Sequence, residues 1–196
     1  DLRVIVIKLA DRLHNMETLK GLPEERQKSY ATETLQLYAP VAWRLGMSQI
    51  KGQLEDLAFP FAFPNQYQDI RKLAGPTYET CEVIAESMRR KIKDLLDKHK
   101  IKATTDSRPK HRYSLWRKLE RYNNEISKIY DLVAVRIIVD DVQDCYKVLD
   151  LIHQNFKPMP ERIKDYIAHP KPNGYQSLHT TVKTPTGQYM EVQIRT

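Results

Sequence analysis

The chain has 196 residues, 41% of them hydrophobic and 29% charged, and 32 lysines and arginines against 25 acids give a net charge of +7. That composition excludes a disordered polymer, and the longest apolar run, Leu132 to Val139 broken by Arg136, excludes a helical membrane span of ~20 apolar residues. Cys81 and Cys145 stand far apart without ligand spacing, which excludes a disulfide framework or zinc ribbon and fits a reducing, cytoplasmic setting.

An amphipathic pattern is already running at Asp1 with no signal or transit segment before it, so a fragment of a longer protein is expected. Leu2, Ile5, Leu9, Leu13 and Met16 recur at three- and four-residue steps and predict a helix with one apolar face, stopped by Gly21-Leu22-Pro23. A second helix is predicted from about Glu24 to Leu45, with Tyr30, Thr34, Leu37 and Val41 inward and a kink at Pro40. Ser48 is placed to cap a short successor, and Pro60 to Pro64 predicts a turn. From Thr77 to Lys98 the positions Tyr78, Cys81, Ile84, Met88, Ile92 and Leu95 trace one face of a long connecting helix.

After Lys100 the period changes. Ile101, Ala103 and Thr105 alternate as a short strand, and Ser114 to Tyr122 read as helix. Leu132 to Val139 is β-branched and short, as a strand buried in a sheet requires. Asp141 to Asn155 returns to helix, with Cys145, Val148, Leu149 and Ile152 inward, and strands near 177–183 and 188–195 close the chain around Pro185-Thr186-Gly187. The class is α+β: helices first, then a mixed β-sheet flanked by helices.

The charge is uneven. Residues 100–128 carry nine basic and three acidic side chains, nearly the whole surplus. Such a run is either a solvated helix face or a focus for phosphate. Within it Arg108 and Lys110 flank a proline, and Lys118 falls four residues after Ser114, on the same helical face. Between Lys164 and Thr181, prolines and a glycine hold Lys171, Asn173 and Tyr175 in a non-repetitive loop, which is either a packed turn or a nucleotide-binding one. Alternation places Glu191, Gln193 and Arg195 on one face of the last strand, opposite Met190, Val192 and Ile194. Asp131 heads the buried strand. Two carboxylates beside a sheet suit Mg²⁺ bridging substrate phosphates, although either acid taken singly reads as a surface charge before a metal ligand.

Four blocks, in order, resemble the RelA/SpoT alarmone synthetases: Arg108-Pro-Lys-His followed by Tyr113-Ser114, Tyr130-Asp-Leu-Val-Ala-Val-Arg136, the stretch Lys164 to Thr180, and Glu191-Val-Gln-Ile-Arg-Thr196. Leu9-Ala-Asp-Arg-Leu-His-Asn-Met16 is similar to the last metal-binding motif of the HD-type hydrolase domain of that family. The resemblance implies a nucleotidyltransferase-like sheet and a division into 1–60, the end of the hydrolase domain, 61–100, a helical connector, and 101–196, most of the synthetase domain. It implies transfer of pyrophosphate from ATP to the 3′-hydroxyl of GDP or GTP. By the same resemblance Arg108 and Arg136 sandwich adenine, Lys110 and Lys118 meet the ATP phosphates, and Asp131 and Glu191 hold Mg²⁺, Glu191 also acting as base. Lys164, Lys171, Asn173, Tyr175 and His179 surround the acceptor nucleotide, with the Tyr175 ring on guanine. Asp11 would bind Mn²⁺ in the hydrolase site, with Asn15 and Thr18 on the nucleotide side.

Arg162-Ile-Lys-Asp165 resembles the bifunctional members, which also hydrolyse (p)ppGpp. The His and His-Asp ligands that complete the hydrolase site lie upstream in the family, and further helices follow the last strand there. No membrane and no nucleic acid is expected as a partner; ribosome association of the full-length parent would run through C-terminal regions beyond residue 196. Two rivals stay open: a basic RNA- or nucleotide-binding module without chemistry, and a slice that only transmits a signal.

Overall fold

In the computed structural model, which describes residues 1–123, 125–126 and 129–196, the chain divides into two units. One comprises Asp1–Ala74 and His111–Asn124, the other Gly75–Lys110 and Glu125–Thr196.

The first unit is helical. It contains α1 (Leu2–Glu17), α2 (Glu24–Glu33), α3 (Ala39–Arg44), α4 (Ser48–Ala62), the start of α5 (Pro64–Lys98) and α6 (Arg112–Leu119). Leu9, Met16, Leu19, Ala31, Ala39, Ala42, Leu54 and Ala58 form its core. The apolar face expected on α1 is covered only from Leu9 onward; Leu2 and Ile5 are exposed, because the neighbouring helices pack on the later turns. Arg12 is buried: its guanidinium lies 3.9 Å from the Tyr38 ring centre and bonds Glu33 at 2.7 Å.

Pro40 acts differently from a simple kink. Between α2 and α3 the helix widens into one π-helical turn, Thr34–Tyr38, in which the Ala39 N–H reaches back to the Thr34 carbonyl. Proline has no N–H and its ring collides with the carbonyl four residues back, so a wider turn relieves the clash without breaking the helix. The extra residue also rotates the face. Burial runs Ala31, Thr34, then Ala39 and Ala42, and Leu37, expected inward, is 52% exposed. Tyr30 is half-exposed as well, its ring lying against Arg12.

Ser48 is the first residue of α4 rather than its cap, and no side chain caps that helix. Pro60 lies inside α4, and the break falls later, at Phe63, whose φ of −138° and ψ of 65° leave the helix. Pro64 then opens α5, where a missing N–H costs little. Buried Ile70 and Ala74 hold these early turns, so α5 begins well before Thr77 and carries Pro76 within it.

The second unit holds a five-stranded sheet in the order β1 (Ala103–Pro109), β2 (Val133–Val139), β5 (Tyr189–Arg195), β4 (Leu178–Lys183), β3 (Lys164–Asp165). β2 and β5 run parallel, and the other pairs are antiparallel. One face packs Val135, Ile137, Val192, Ile194 and Leu178 against Ala85, Met88 and Ile92 of α5 and Cys145, Val148 and Ile152 of α7 (Val142–Asn155). Asp141 caps α7 by accepting the Asp144 N–H. The architecture is the α+β arrangement, helical first and then a mixed sheet with helices. It leaves the opposite face of the sheet to polar residues.

Candidate active site

Strand register builds the site. Asp106 pairs with Arg136 across β1 and β2, Arg136 with Gln193 across β2 and β5, Gln193 with His179 across β5 and β4, and His179 with Lys164 across β4 and β3. Side chains alternate between faces, so these five residues form one row across the polar face, flanked two positions away by Arg108 on β1 and Glu191 on β5. Arg136 is gripped by both oxygens of Asp106. Burial, followed by the like charge of Arg136, presses the Arg108 guanidinium below its ordinary pKa, which shows the two cations to be close neighbours.

The two acids lie where the sheet face meets the start of β2. Asp131 accepts a 2.7 Å hydrogen bond from Lys110, and both side chains are largely buried. Glu191 accepts from the Gln193 amide at 2.7 Å and lies 3.2 Å from His179 Nδ1. Burial pushes the Glu191 carboxyl up, but the hydrogen bond and pull of His179, helped by Gln193, more than offset it and hold the group below the ordinary glutamate range. Asp131 works the other way, raising Glu191 through its own negative charge, so the two carboxylates sense each other. Burial, then the charges of Lys164 and Lys110, lower Lys171, while Glu191 raises it; three lysines therefore share the field around the acids.

The loop Lys171–Tyr175 is shaped by its own backbone. Gly174 sits at φ +75°, a conformation that L side chains rarely adopt, and its N–H bonds the Lys171 carbonyl at 2.8 Å. The Lys171 N–H bonds the Tyr175 carbonyl, and the Asn173 side chain accepts the Tyr175 N–H. So part of the Asn173 amide shapes the turn. Lys171 lies over the rings of Tyr166 and Tyr175, 4.5 and 4.9 Å from their centres, and Arg195 lies 5.6 Å from the Tyr175 ring.

The remaining residues singled out from sequence lie in the first unit. Lys118 shares with Lys51, Arg117, Arg121 and Ser114 the wall of a cationic cavity of about 810 Å³. Ser114 donates to Glu55, which pairs with Lys51. Asp11, Asn15 and Thr18 lie along one side of α1, as their spacing predicts: Asn15 donates to Asp11 at 3.2 Å, and the Thr18 hydroxyl is turned back onto the His14 and Asn15 carbonyls. Among the described residues no group of three or more His, Cys, Asp or Glu side chains is placed to hold a metal ion. Sequence reasoning missed three members of the sheet site: Asp106, Gln193 as a partner of Glu191, and Tyr166. Alternation places Gln193 on the Glu191 face without showing the hydrogen bond between them, and Tyr166 stands inside the Lys164–Thr180 block.

Residues 107–196 match the family described as the region found in RelA/SpoT proteins, and residues 1–48 match an HD domain. Across all 196 residues the chain is 48% identical to a GTP pyrophosphokinase of Streptomyces antibioticus and 46% identical to a bifunctional (p)ppGpp synthase/hydrolase RelA of Mycobacterium tuberculosis. Residues 107–196 carry the region found in RelA/SpoT proteins. The chain spans about a quarter of the length of these curated relatives, 23% and 27% respectively. The fold of the small alarmone synthetase 2 from Bacillus subtilis matches 64% of this chain and 70% of that one, with a TM-score of 0.51 and 29% identity. No helix among the described residues is long and apolar enough to cross a membrane.

Proposed function

We propose that this chain carries the site of a GTP/GDP pyrophosphokinase, which moves the pyrophosphoryl group of ATP to the 3′-hydroxyl of GDP or GTP and yields (p)ppGpp and AMP. The observation that carries this reading is Glu191, an ionised carboxylate fixed by His179 and Gln193 on a face with Arg108 and Arg136 at one flank and Lys164 at the other. Arg108 and Arg136 offer two guanidinium planes to adenine, Lys110 meets the ATP phosphates, and Tyr175 offers its ring to guanine with Lys171, Asn173, His179 and Lys164 around it. Glu191 takes the proton of the attacking 3′-hydroxyl as the bond from the β-phosphorus to the AMP oxygen breaks. The lysines offset the negative charge that shifts over the phosphoryl oxygens.

Asp131 and Glu191 would hold Mg²⁺, whose chemistry when bound is to neutralise phosphoryl charge. The donor set fits: two hard carboxylates that sense each other's charge, with no closed protein cage among the described residues, suit an ion that keeps water and substrate oxygens in its shell. Asp11 has an amide for a neighbour rather than further carboxylate or imidazole ligands, so it does not fit Mn²⁺ by itself. We further infer that residues 1–60 are the end of an HD-type hydrolase domain, 61–100 a connector and 101–196 the synthetase domain; matches over 1–48 and 107–196 support this. A cytoplasmic setting belongs to the same reading, and free Cys81 and Cys145 agree with it.

A nucleic-acid groove fits less well, since two adjacent carboxylates at its centre would repel the backbone. Incubation with ATP, GDP and Mg²⁺ should produce AMP and ppGpp in equal amounts. ADP as the product, or RNA retention without turnover, would overturn the proposal.

A further inference from the structure

Tyr175 has a ring and a hydroxyl, and the structure gives them different charged and hydrogen-bonding neighbours. The ring faces Lys171 and Arg195, while the hydroxyl oxygen lies 2.9 Å from His179 Nε2. The other ring nitrogen of His179 lies 3.2 Å from Glu191 Oε1. We propose that the Tyr175 hydroxyl and His179 are positioning residues that orient the Glu191 carboxylate for proton abstraction, a role separate from stacking by the Tyr175 ring. The inference rests on the pyrophosphokinase reading, and it moves His179 from the acceptor's surroundings to the support of the base.

Hydrogen-bond bookkeeping assigns the roles. An ionised carboxylate only accepts, so the Nδ1 that faces Glu191 carries a proton. Nε2 then meets the hydroxyl, a group able to give or take a proton as the ring requires. The Gln193 amide donates to the same Glu191 oxygen, so two donors tie down Oε1 and single out Oε2 for the incoming hydroxyl. His179 itself has little freedom. It is 12% exposed, the Tyr166 ring meets it edge-on at 5.1 Å and 88°, and the Tyr175 ring does so at 5.9 Å and 86°. On β4 it pairs with Gln193 rather than with Glu191, so its reach to Glu191 is diagonal and depends on the ring being held at its far nitrogen. The Tyr175 hydroxyl supplies that hold. A guanine seated on the Tyr175 ring would thereby fix the group that aims the base.

Turnover of the chain with ATP, GDP and Mg²⁺ separates ring from hydroxyl. Tyr175→Phe keeps the ring and should lower kcat about tenfold while leaving the KM for GDP within about twofold. His179→Ala should cost more, on the order of 10²-fold in kcat. His179→Asn, whose amide can donate from near the Nδ1 position, should recover most of that loss. In the His179→Asn background the further change Tyr175→Phe should have no effect, since the hydroxyl no longer holds a ring. An unchanged kcat in Tyr175→Phe, or an equal loss in both backgrounds, would overturn the proposal.

A second readout does not depend on turnover. The imidazole ¹⁵N spectrum should show a proton on Nδ1 of His179, and Tyr175→Phe should shift the Nε2 resonance. A bare Nδ1 would contradict the relay even in an active enzyme. A protonated Nδ1 in a protein that makes no ppGpp would support the relay geometry and refute the pyrophosphokinase reading instead.

Discussion

Gly52→Ala should unfold the helical unit more easily, against the usual trend. In a helix interior alanine is favoured over glycine by about 1 kcal/mol. Gly52 is buried in α4, and a Cβ there would lie 2.2 Å from His111 Nε2 and 2.7 Å from Cε1. That ring is no loose end. Its Nδ1 is 2.9 Å from Asp56 Oδ2, and the other Asp56 oxygen accepts the Tyr113 N–H at the start of α6. Displacing the ring forfeits a hydrogen bond to a charged group, about 1.5–3 kcal/mol, and crowding the core costs ~1–3 kcal/mol more. Against the helix gain, the net is a loss of about 1.5–5 kcal/mol. The chain has two tryptophans, Trp43 and Trp116, and both lie in this unit, so urea unfolding followed by tryptophan fluorescence reads it directly. In a His111→Ala background the clash is gone, and Gly52→Ala should then stabilise by about 1 kcal/mol. A neutral or stabilising Gly52→Ala in the unaltered chain would refute the reasoning.

Tyr175→Ala should weaken GDP by ~1–3 kcal/mol, the scale of a base-stacking loss, and leave ATP nearly unchanged; calorimetry with each nucleotide checks this, and equal weakening would mean a collapsed loop. Glu86, bonded by Arg89 and then Arg90, is held at about 2. Its support for the fold is therefore present above the ordinary glutamate pKa and lost as pH falls toward about 2, and an NMR titration that found it near 4.5 would remove this pair of bridges from the account. With ppGpp and Mn²⁺ the chain should release no pyrophosphate above a blank, because among the described residues no group of three or more metal-ligating side chains gathers at Asp11; metal-dependent release abolished by Asp11→Ala would contradict this.

Much of the sheet was legible because its pattern is local. Period two on β5 put Glu191, Gln193 and Arg195 on one face and Met190, Val192 and Ile194 on the other, and burial follows that pattern. The row from Asp106 to Lys164 was not legible, because it depends on register between strands far apart in sequence, above all the parallel pairing of Arg136 with Gln193. Pro40 announced a disturbance without saying how the helix would relieve it. The π turn did so by adding a residue, which turned Leu37 out of the core. Pro60 misled in the opposite sense, since neighbouring buried turns carry α4 through it. Family motifs gathered Lys118 with Lys110 on function alone. Helical spacing holds no information on which compact unit a residue joins, and the boundary falls between Lys110 and His111.

The central claim is that Glu191 is the base of a pyrophosphoryl transfer, and a single comparison tests it: the rate of ppGpp formation from ATP and GDP by the chain and by Glu191→Gln, under nucleotide saturation verified by calorimetry. The substitution keeps the shape of the side chain and one acceptor oxygen for His179 and Gln193, but replaces the oxygen that would take the proton by an amide nitrogen that cannot. The account predicts retained binding of both nucleotides and a loss of at least ~10²-fold in turnover. Near-normal turnover in Glu191→Gln would contradict it.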